Sequence, residues 1–200
     1  MTSVRRGAER EDARVHDDGP RWDARYAEIT GVEAQAPEAI ERWPDLCALL
    51  PETGRCLDVA SGPGAVTLWL AQRGLEVTAV DASSTAIELL RSTARANGLA
   101  SLVDARTVDL DNGLPDDVSE LDLIVCQRFR DPQLYAPVVE RLGTGGIAVV
   151  TVLSRVGSAD PGPFHAPAGE LPAAFGTDER CEILRTWEGD GVAHVVIRRR

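Results

Sequence analysis

No hydrophobic run in this 200-residue sequence approaches the roughly 18 residues that a membrane-spanning helix needs. The opening MTSVRRGAEREDARVHDD has no apolar core of the kind a secretory signal requires. Basic charge is also short: 21 Lys and Arg stand against 32 Asp and Glu, a formal net charge of -11. Such a field repels polyphosphate, and the one basic cluster, Arg198 to Arg200, reads as a solvated end. The four cysteines, Cys47, Cys56, Cys126 and Cys181, lack the close pairing of zinc sites or redox motifs. Three scattered histidines add no metal-ligand spacing. These absences exclude a membrane and a nucleic-acid partner and leave no metal site. They predict a cytoplasmic protein with small, buried thiols.

What is present is enough apolar residue, 44%, to bury one sizeable core, so a single domain is expected. Residues 1–20 are charged and nearly devoid of large apolar side chains, and they predict a flexible tail. From residue 21 the domain begins. RWDARYAEI and PEAIERWPDLCALL carry apolar residues at three- and four-residue steps, predicting short amphipathic helices broken near Pro37 and Pro51.

After Gly54 the rhythm becomes strand, turn, helix. RCLDVA, LEVTAV, LVDARTVDL, LDLIVCQ and Gly145 to Leu153 read as strands. Ala65 to Gln72, Ser84 to Ala96, Pro132 to Leu142 and Glu170 to Phe175 read as helices. That alternation predicts an α/β, Rossmann-like, mostly parallel sheet with helices on both faces. CEILRTWEGDGVAHVVIRR breaks the rhythm. Two strand-like runs flank Gly189-Asp190-Gly191, too short a link for a helix, so an antiparallel hairpin should close the sheet.

Gly62 and Gly64 fall at the first strand-to-helix turn, where an open α/β sheet brings its backbone closest to a ligand. Asp81 ends the second strand about 20 residues later, where a carboxylate accepts both hydroxyls of an adenosine ribose. Both features suit a nicotinamide cofactor and an oxidoreductase. The turn, however, reads GPGAVT, with Thr67 where the third glycine of G-x-G-x-x-G belongs. Asp58, at the end of the first strand, would also repel a pyrophosphate over the helix N-terminus. It suits a ligand bearing an amino group.

Asp58-Val59-Ala60-Ser61-Gly62-Pro63-Gly64 resembles the D-x-G-x-G-x-G motif of class I S-adenosylmethionine-dependent methyltransferases, with alanine for the first glycine. The likeness runs from about Cys56 to the C-terminus and includes the terminal hairpin. LDLIVCQ is similar to the family's fourth strand, and RLGTGGIAVVTVL to its fifth strand and preceding turn. RWDARYAEI looks like the W-D-x-R-Y opening of the tellurite-resistance and thiopurine-type branch, which methylates small molecules. The resemblance implies S-adenosylmethionine as cofactor, held by Asp58, Ala60, Gly62 and Gly64 at the turn. It further implies Asp81 with Ala82 after the second strand, Asp109 with Leu110 after the third, and Cys126 at the end of the fourth. Trp22, Arg25 and Tyr26 would belong to a helical lid over residues 21–50, where an aromatic face favours the sulfonium. The other reading of that segment is a helix whose Trp and Tyr simply pack.

A sulfonium methyl needs an aligned nucleophile and little else, so a general base is optional. The acceptor is expected to be a small molecule lying along QRFRDPQLY and SRVGSADPGPFHAPAGE. Arg128 and Arg130 are candidates to clamp an anion, Phe129 lies between them, and His165 is the weak candidate for a base. The bland alternative for Arg128 is a surface ion pair with Asp131 or another acid. His194, inside a strand, and His16, in the tail, are unattractive. A non-catalytic module on the same fold also fits, because Ala60 departs from the motif and no base is evident.

Overall fold

The computed structural model describes residues 18–200. The expected charged tail therefore lies, over residues 1–17, outside the described residues, and so does His16. Its expected boundary shifts, because Asp18 to Pro20 already belong to the first helix, α1 (Asp18–Tyr26). The predicted helix over PEAIERWPDLCALL is split into α2 (Glu38–Arg42) and a 3₁₀ segment, Pro44–Leu49. Pro44 is the reason: proline lacks the N–H that would continue the helix, and it pushes Trp43 to an extended φ of -128°.

Seven strands follow: β1 (Gly54–Val59), β2 (Leu75–Asp81), β3 (Val103–Thr107), β4 (Leu121–Gln127), β5 (Leu142–Leu153), β6 (Cys181–Gly189) and β7 (Val192–Arg199). They alternate with α3 (Ala65–Gln72), α4 (Ser84–Ala96), α5 (Tyr135–Arg141) and α6 (Glu170–Gly176). The order across the sheet is β3-β2-β1-β4-β5-β7-β6. β1 to β5 pair in parallel, while β7 runs antiparallel to both β5 and β6. The hairpin turn is Asp190-Gly191, at φ of 51° and 80°; two left-handed residues match the twist of the strands they join. β7 enters the sheet as an interior strand because its middle, Ala193 to Ile197, is buried throughout. The more polar β6 takes the edge, as an exposed strand edge favours.

Two expected boundaries move. Strand β3 ends at Thr107, so Asp109 and Leu110 lie in a loop whose 3₁₀ turn Asp109 caps. The helix expected from Pro132 starts as a 3₁₀ turn, becomes α5 at Tyr135, and gives way to β5 at Leu142.

Alternate residues of β1 enter opposite layers. Leu57 and Val59 join a cluster with Tyr135, Val150 and Phe175 on the α5–α6 face. Cys56 packs with Ile40, Leu46 and Leu70 beneath α2 and α3. Burying each large apolar side chain contributes roughly 1.5 to 3 kcal/mol, which makes the sheet a rigid platform. The chain runs from β1 to β2 and β3 on one side and then crosses back to β4 on the other side of β1, which reverses the strand order there. The crevice at the carboxyl ends of these strands is the place where such sheets hold ligands. Among the described residues no helix is long and apolar enough to cross a membrane.

Candidate active site

A cavity of about 510 Å³ opens at that crevice, floored by the ends of β1, β2 and β4 and covered by α1. The turn after β1 is built from left-handed residues: Ala60 at φ 53°, Gly62 at 53° and Gly64 at 92°. Alanine in place of the motif's first glycine therefore adopts the conformation a glycine takes freely.

Asp81, only 6% exposed, organises the turn. Its Oδ2 accepts the N–H of Gly62 at 2.7 Å and its Oδ1 accepts the N–H of Ser83 at 2.8 Å. Burial raises its pKa and these two bonds oppose the rise. Each oxygen keeps a lone pair for a ligand hydroxyl. Asp58 is 1% exposed and accepts the Thr67 hydroxyl at 2.5 Å. Burial pushes its pKa up to about 7, the Thr67 bond opposes this, and the nearby Asp81 charge adds to it. A buried carboxylate bonded through Thr67 alone, with no cation paired to it among the described residues, suits an ammonium group.

The covering helix is joined to this floor. Asp23 of α1 accepts the Ser83 hydroxyl at 2.5 Å and the Thr85 N–H at 3.0 Å, at the N-terminus of α4. Trp22 and Tyr26 stack with ring centroids 5.8 Å apart. A Cβ built on Gly62 would stand 3.0 Å from the Tyr26 hydroxyl, so the absent side chain is what lets α1 and the turn approach. At the far end of the cavity Arg128 pairs with Glu38 of α2.

Residues 56–146 match the family model described as a methyltransferase domain. The sheet order and the structures it resembles give the chain the class I methyltransferase fold. Among solved structures, an S-adenosylmethionine-dependent methyltransferase from Mesorhizobium loti is 20% identical, with 79% of this chain and 97% of that one covered at a TM-score of 0.63. A protein studied for the conversion of a disulfide bond into a thioacetal group during echinomycin biosynthesis is 21% identical, covering 90% and 92% at a TM-score of 0.66. The [4+2]-cyclase SpnF is 18% identical, covering 90% and 91% at a TM-score of 0.66. Likeness at this level is likeness of fold, and a cyclase among these structures leaves the details of the reaction to the site.

S-adenosylmethionine is the cofactor that this fold implies, and the cavity fits it on three observations. Asp58 is a buried carboxylate without a cation, the glycine turn is bare where a Cβ would strike the covering helix, and the Gln127 Oε1 is buried without a partner. Of the residues expected at the cofactor, Asp58, Ala60, Gly62, Asp81 and Ala82 line the cavity. So do Asp109 and Leu110, and Trp22, Arg25 and Tyr26 from α1.

Two expected cofactor residues do not line it. A Cβ on Gly64 would lie 2.2 Å from Leu90 Cδ1, so that glycine serves the packing of α3 against α4. Cys126 is buried, with its thiol directed at the Phe129 carbonyl at 3.4 Å; its neighbour Gln127 faces the cavity instead. Strand alternation placed Cys126 in the α5–α6 core.

Among the expected acceptor residues, Arg128 and Phe129 line the cavity, and Arg128 also makes the ion pair with an acid that the other reading allowed, the acid being Glu38. Arg130 is withdrawn from the site: it makes a bidentate pair with Glu170, which also accepts the Tyr135 hydroxyl. His165 lies outside the cavity lining, with its Nδ1 accepting the Gly162 N–H at 3.0 Å. His194 is a buried strand residue stacked on Trp187 and bonded to Thr151. Thr67, which bonds Asp58, and Glu38, which lines the cavity, are positions that sequence reasoning did not place at the site. The one signal for Thr67 was its place in the motif, and nothing local pointed to Glu38. No group of three or more metal-ligating side chains occurs among the described residues.

Proposed function

We propose that this methyltransferase transfers a methyl group to a small-molecule acceptor, with the cofactor over the β1 turn and the acceptor at the end of β4. The observation that carries the reading is the covered cavity, which joins both regions in one volume of about 510 Å³. That size falls in the roughly 300–1,000 Å³ range of small-molecule sites. The resemblance of RWDARYAEI to the small-molecule branch supports it, as does a net charge of -11, which disfavours a polyanionic acceptor. Four free thiols suit a reducing, cytoplasmic setting.

S-adenosylmethionine supplies an electrophilic methyl on a positively charged sulfur. Asp81 receives the ribose hydroxyls, Asp58 the ammonium, and Asp109 beside Leu110 the adenine edge. Trp22 and Tyr26 shut out water and set an aromatic face toward positive charge. Gln127, Arg128 and Phe129, which line the cavity at the end of β4, would hold and orient the acceptor. Among the described residues no histidine, cysteine or lysine lines the cavity, and an acceptor that is nucleophilic near neutral pH, needing position rather than a base, suits the site.

The test is calorimetric titration with S-adenosylhomocysteine and with NAD, followed by an acceptor screen that reads S-adenosylhomocysteine release. Binding of S-adenosylhomocysteine alone, with turnover of at least one small acceptor, is the expected result. Preference for NAD would overturn the assignment.

A further inference from the structure

The sequence contains no lysine, so every fixed side-chain cation is a guanidinium, and two of them line the cavity, Arg25 and Arg128. Within the methyl-transfer reading, on which this inference rests, the cofactor brings one carboxylate. Arg25 is placed to answer it: it lies against Trp22, 5.5 Å from the ring centroid, on the helix that covers the glycine turn. Arg128 stands at the end of β4 as a second cation with no counterpart on the cofactor.

The setting of Arg128 is that of a recognition group rather than a clasp. Its Nε donates to Glu38, 90 residues away in sequence. Among the described residues its Nη1 and Nη2 have no partner, and its side chain is 60% exposed. Its backbone sits at φ 57°, a left-handed conformation that costs a non-glycine residue free energy and is kept where surrounding structure imposes it. Beside it the buried Oε1 of Gln127 has no hydrogen-bond partner, and Phe129 and Ala36 give the same wall an apolar surface. A guanidinium edge matches a carboxylate in a planar, two-bonded geometry.

We propose that the methyl acceptor is a small carboxylic acid with an apolar or aromatic body, selected by Arg128. Glu38 holds the guanidinium in place when the acceptor is absent and yields it when the acceptor's carboxylate arrives. The pair is thus an exchange site, and its two halves act in opposite directions: Arg128 attracts the acceptor and Glu38 competes with it.

Opposite directions make the inference testable. Protein saturated with S-adenosylhomocysteine is titrated with benzoate, benzamide and benzylamine as probes. Benzoate is expected to bind at least about tenfold more tightly than either of the others. Arg128→Gln should erase that preference, while Glu38→Gln should tighten benzoate binding. Equal binding of the three probes, a preference for benzylamine, or weakening of benzoate by both substitutions would overturn the proposal; the last would mark a merely structural ion pair. Affinity for S-adenosylhomocysteine in each variant reports that the fold is intact. Failure of the wild-type protein to bind S-adenosylhomocysteine would instead overturn the methyl-transfer reading, and benzoate titrations without it would still read Arg128.

Discussion

The carboxylate of Asp23 and the hydroxyl of Ser83 meet at 2.5 Å, and the N–H of the same Ser83 donates to Asp81 at 2.8 Å. One serine thus joins the covering helix to the carboxylate assigned to the cofactor ribose. Asp23 also accepts the Thr85 N–H, so it caps α4 from outside, at the end where a negative charge is favourable. These bonds hold Asp23 below its ordinary pKa.

Asp23→Asn should therefore loosen α1 without disturbing the sheet. Amides of residues 18–26 should exchange faster in the variant, and its affinity for S-adenosylhomocysteine should fall severalfold. In the wild-type protein, ligand should slow those same amides and leave the hairpin around Gly189 nearly unchanged, because only segments of low local stability gain protection by linkage. Exchange in α1 that ignores both the ligand and the substitution would show that the helix is simply core.

The pKa of Asp58, raised to about 7 by burial, makes binding depend on pH. An ammonium group requires the ionised carboxylate, so affinity for S-adenosylhomocysteine should fall as pH drops below about 7. Binding near that pH should release a proton, seen by calorimetry in buffers of different ionisation heat and lost in Asp58→Asn. The ligand-free fold behaves oppositely. A carboxyl whose folded pKa lies above its unfolded value is most favourable to the fold at low pH, and that contribution is lost as pH rises from about 4 through about 7. Asp58→Asn should accordingly raise the melting temperature at pH 8 more than at pH 5.

Asp81→Ala removes a ligand acceptor and two bonds that hold the turn, so it should lower cofactor affinity and thermal stability together. Asp81→Asn separates the two. It keeps an acceptor oxygen but not the charge, and should weaken S-adenosylhomocysteine binding by roughly the 1.5–3 kcal/mol of a charge-assisted bond with a smaller loss of stability. Unchanged affinity in a folded Asp81→Asn variant would sink the ribose assignment.

Ala60 and Gly64 of the glycine turn should respond to substitution with opposite signs. Ala60→Gly relieves a left-handed alanine, so in place of an ordinary loss it should leave stability unchanged or raise it by up to about 1 kcal/mol. Gly64→Ala forces a methyl group to within 2.2 Å of Leu90 Cδ1 at φ 92°, and should cost on the order of 2–4 kcal/mol through overpacking and strain. Chemical denaturation measures both. A Gly64→Ala protein of normal stability would restore Gly64 as a candidate cofactor contact.

Local patterns were enough for much of this architecture. The apolar runs of β1, β2 and β4, the helix boundaries of α3 and α4, and the Gly189-Asp190-Gly191 link were all legible, because each depends on neighbours within a few residues. Asp58 and Asp81 were legible for a similar reason: strand ends and turns announce themselves in sequence, and the motif spaces both carboxylates around one turn. What sequence did not show depends on which distant atoms meet. Gly64 looked like a ligand contact until Leu90 of α4 packed against it, and Arg130 looked like a clamp until Glu170, 40 residues away, took its guanidinium. Strand alternation turned Cys126 inward and Gln127 outward, a choice set by the register of β4 against β1 and β5. Glu38 reaches Arg128 because α2 packs on β5 and β7, strands far from it in sequence. A side chain's neighbours along the chain are set by covalent spacing, whereas its partner across 40 or 90 residues is set by how whole layers pack, and that packing has no local signature.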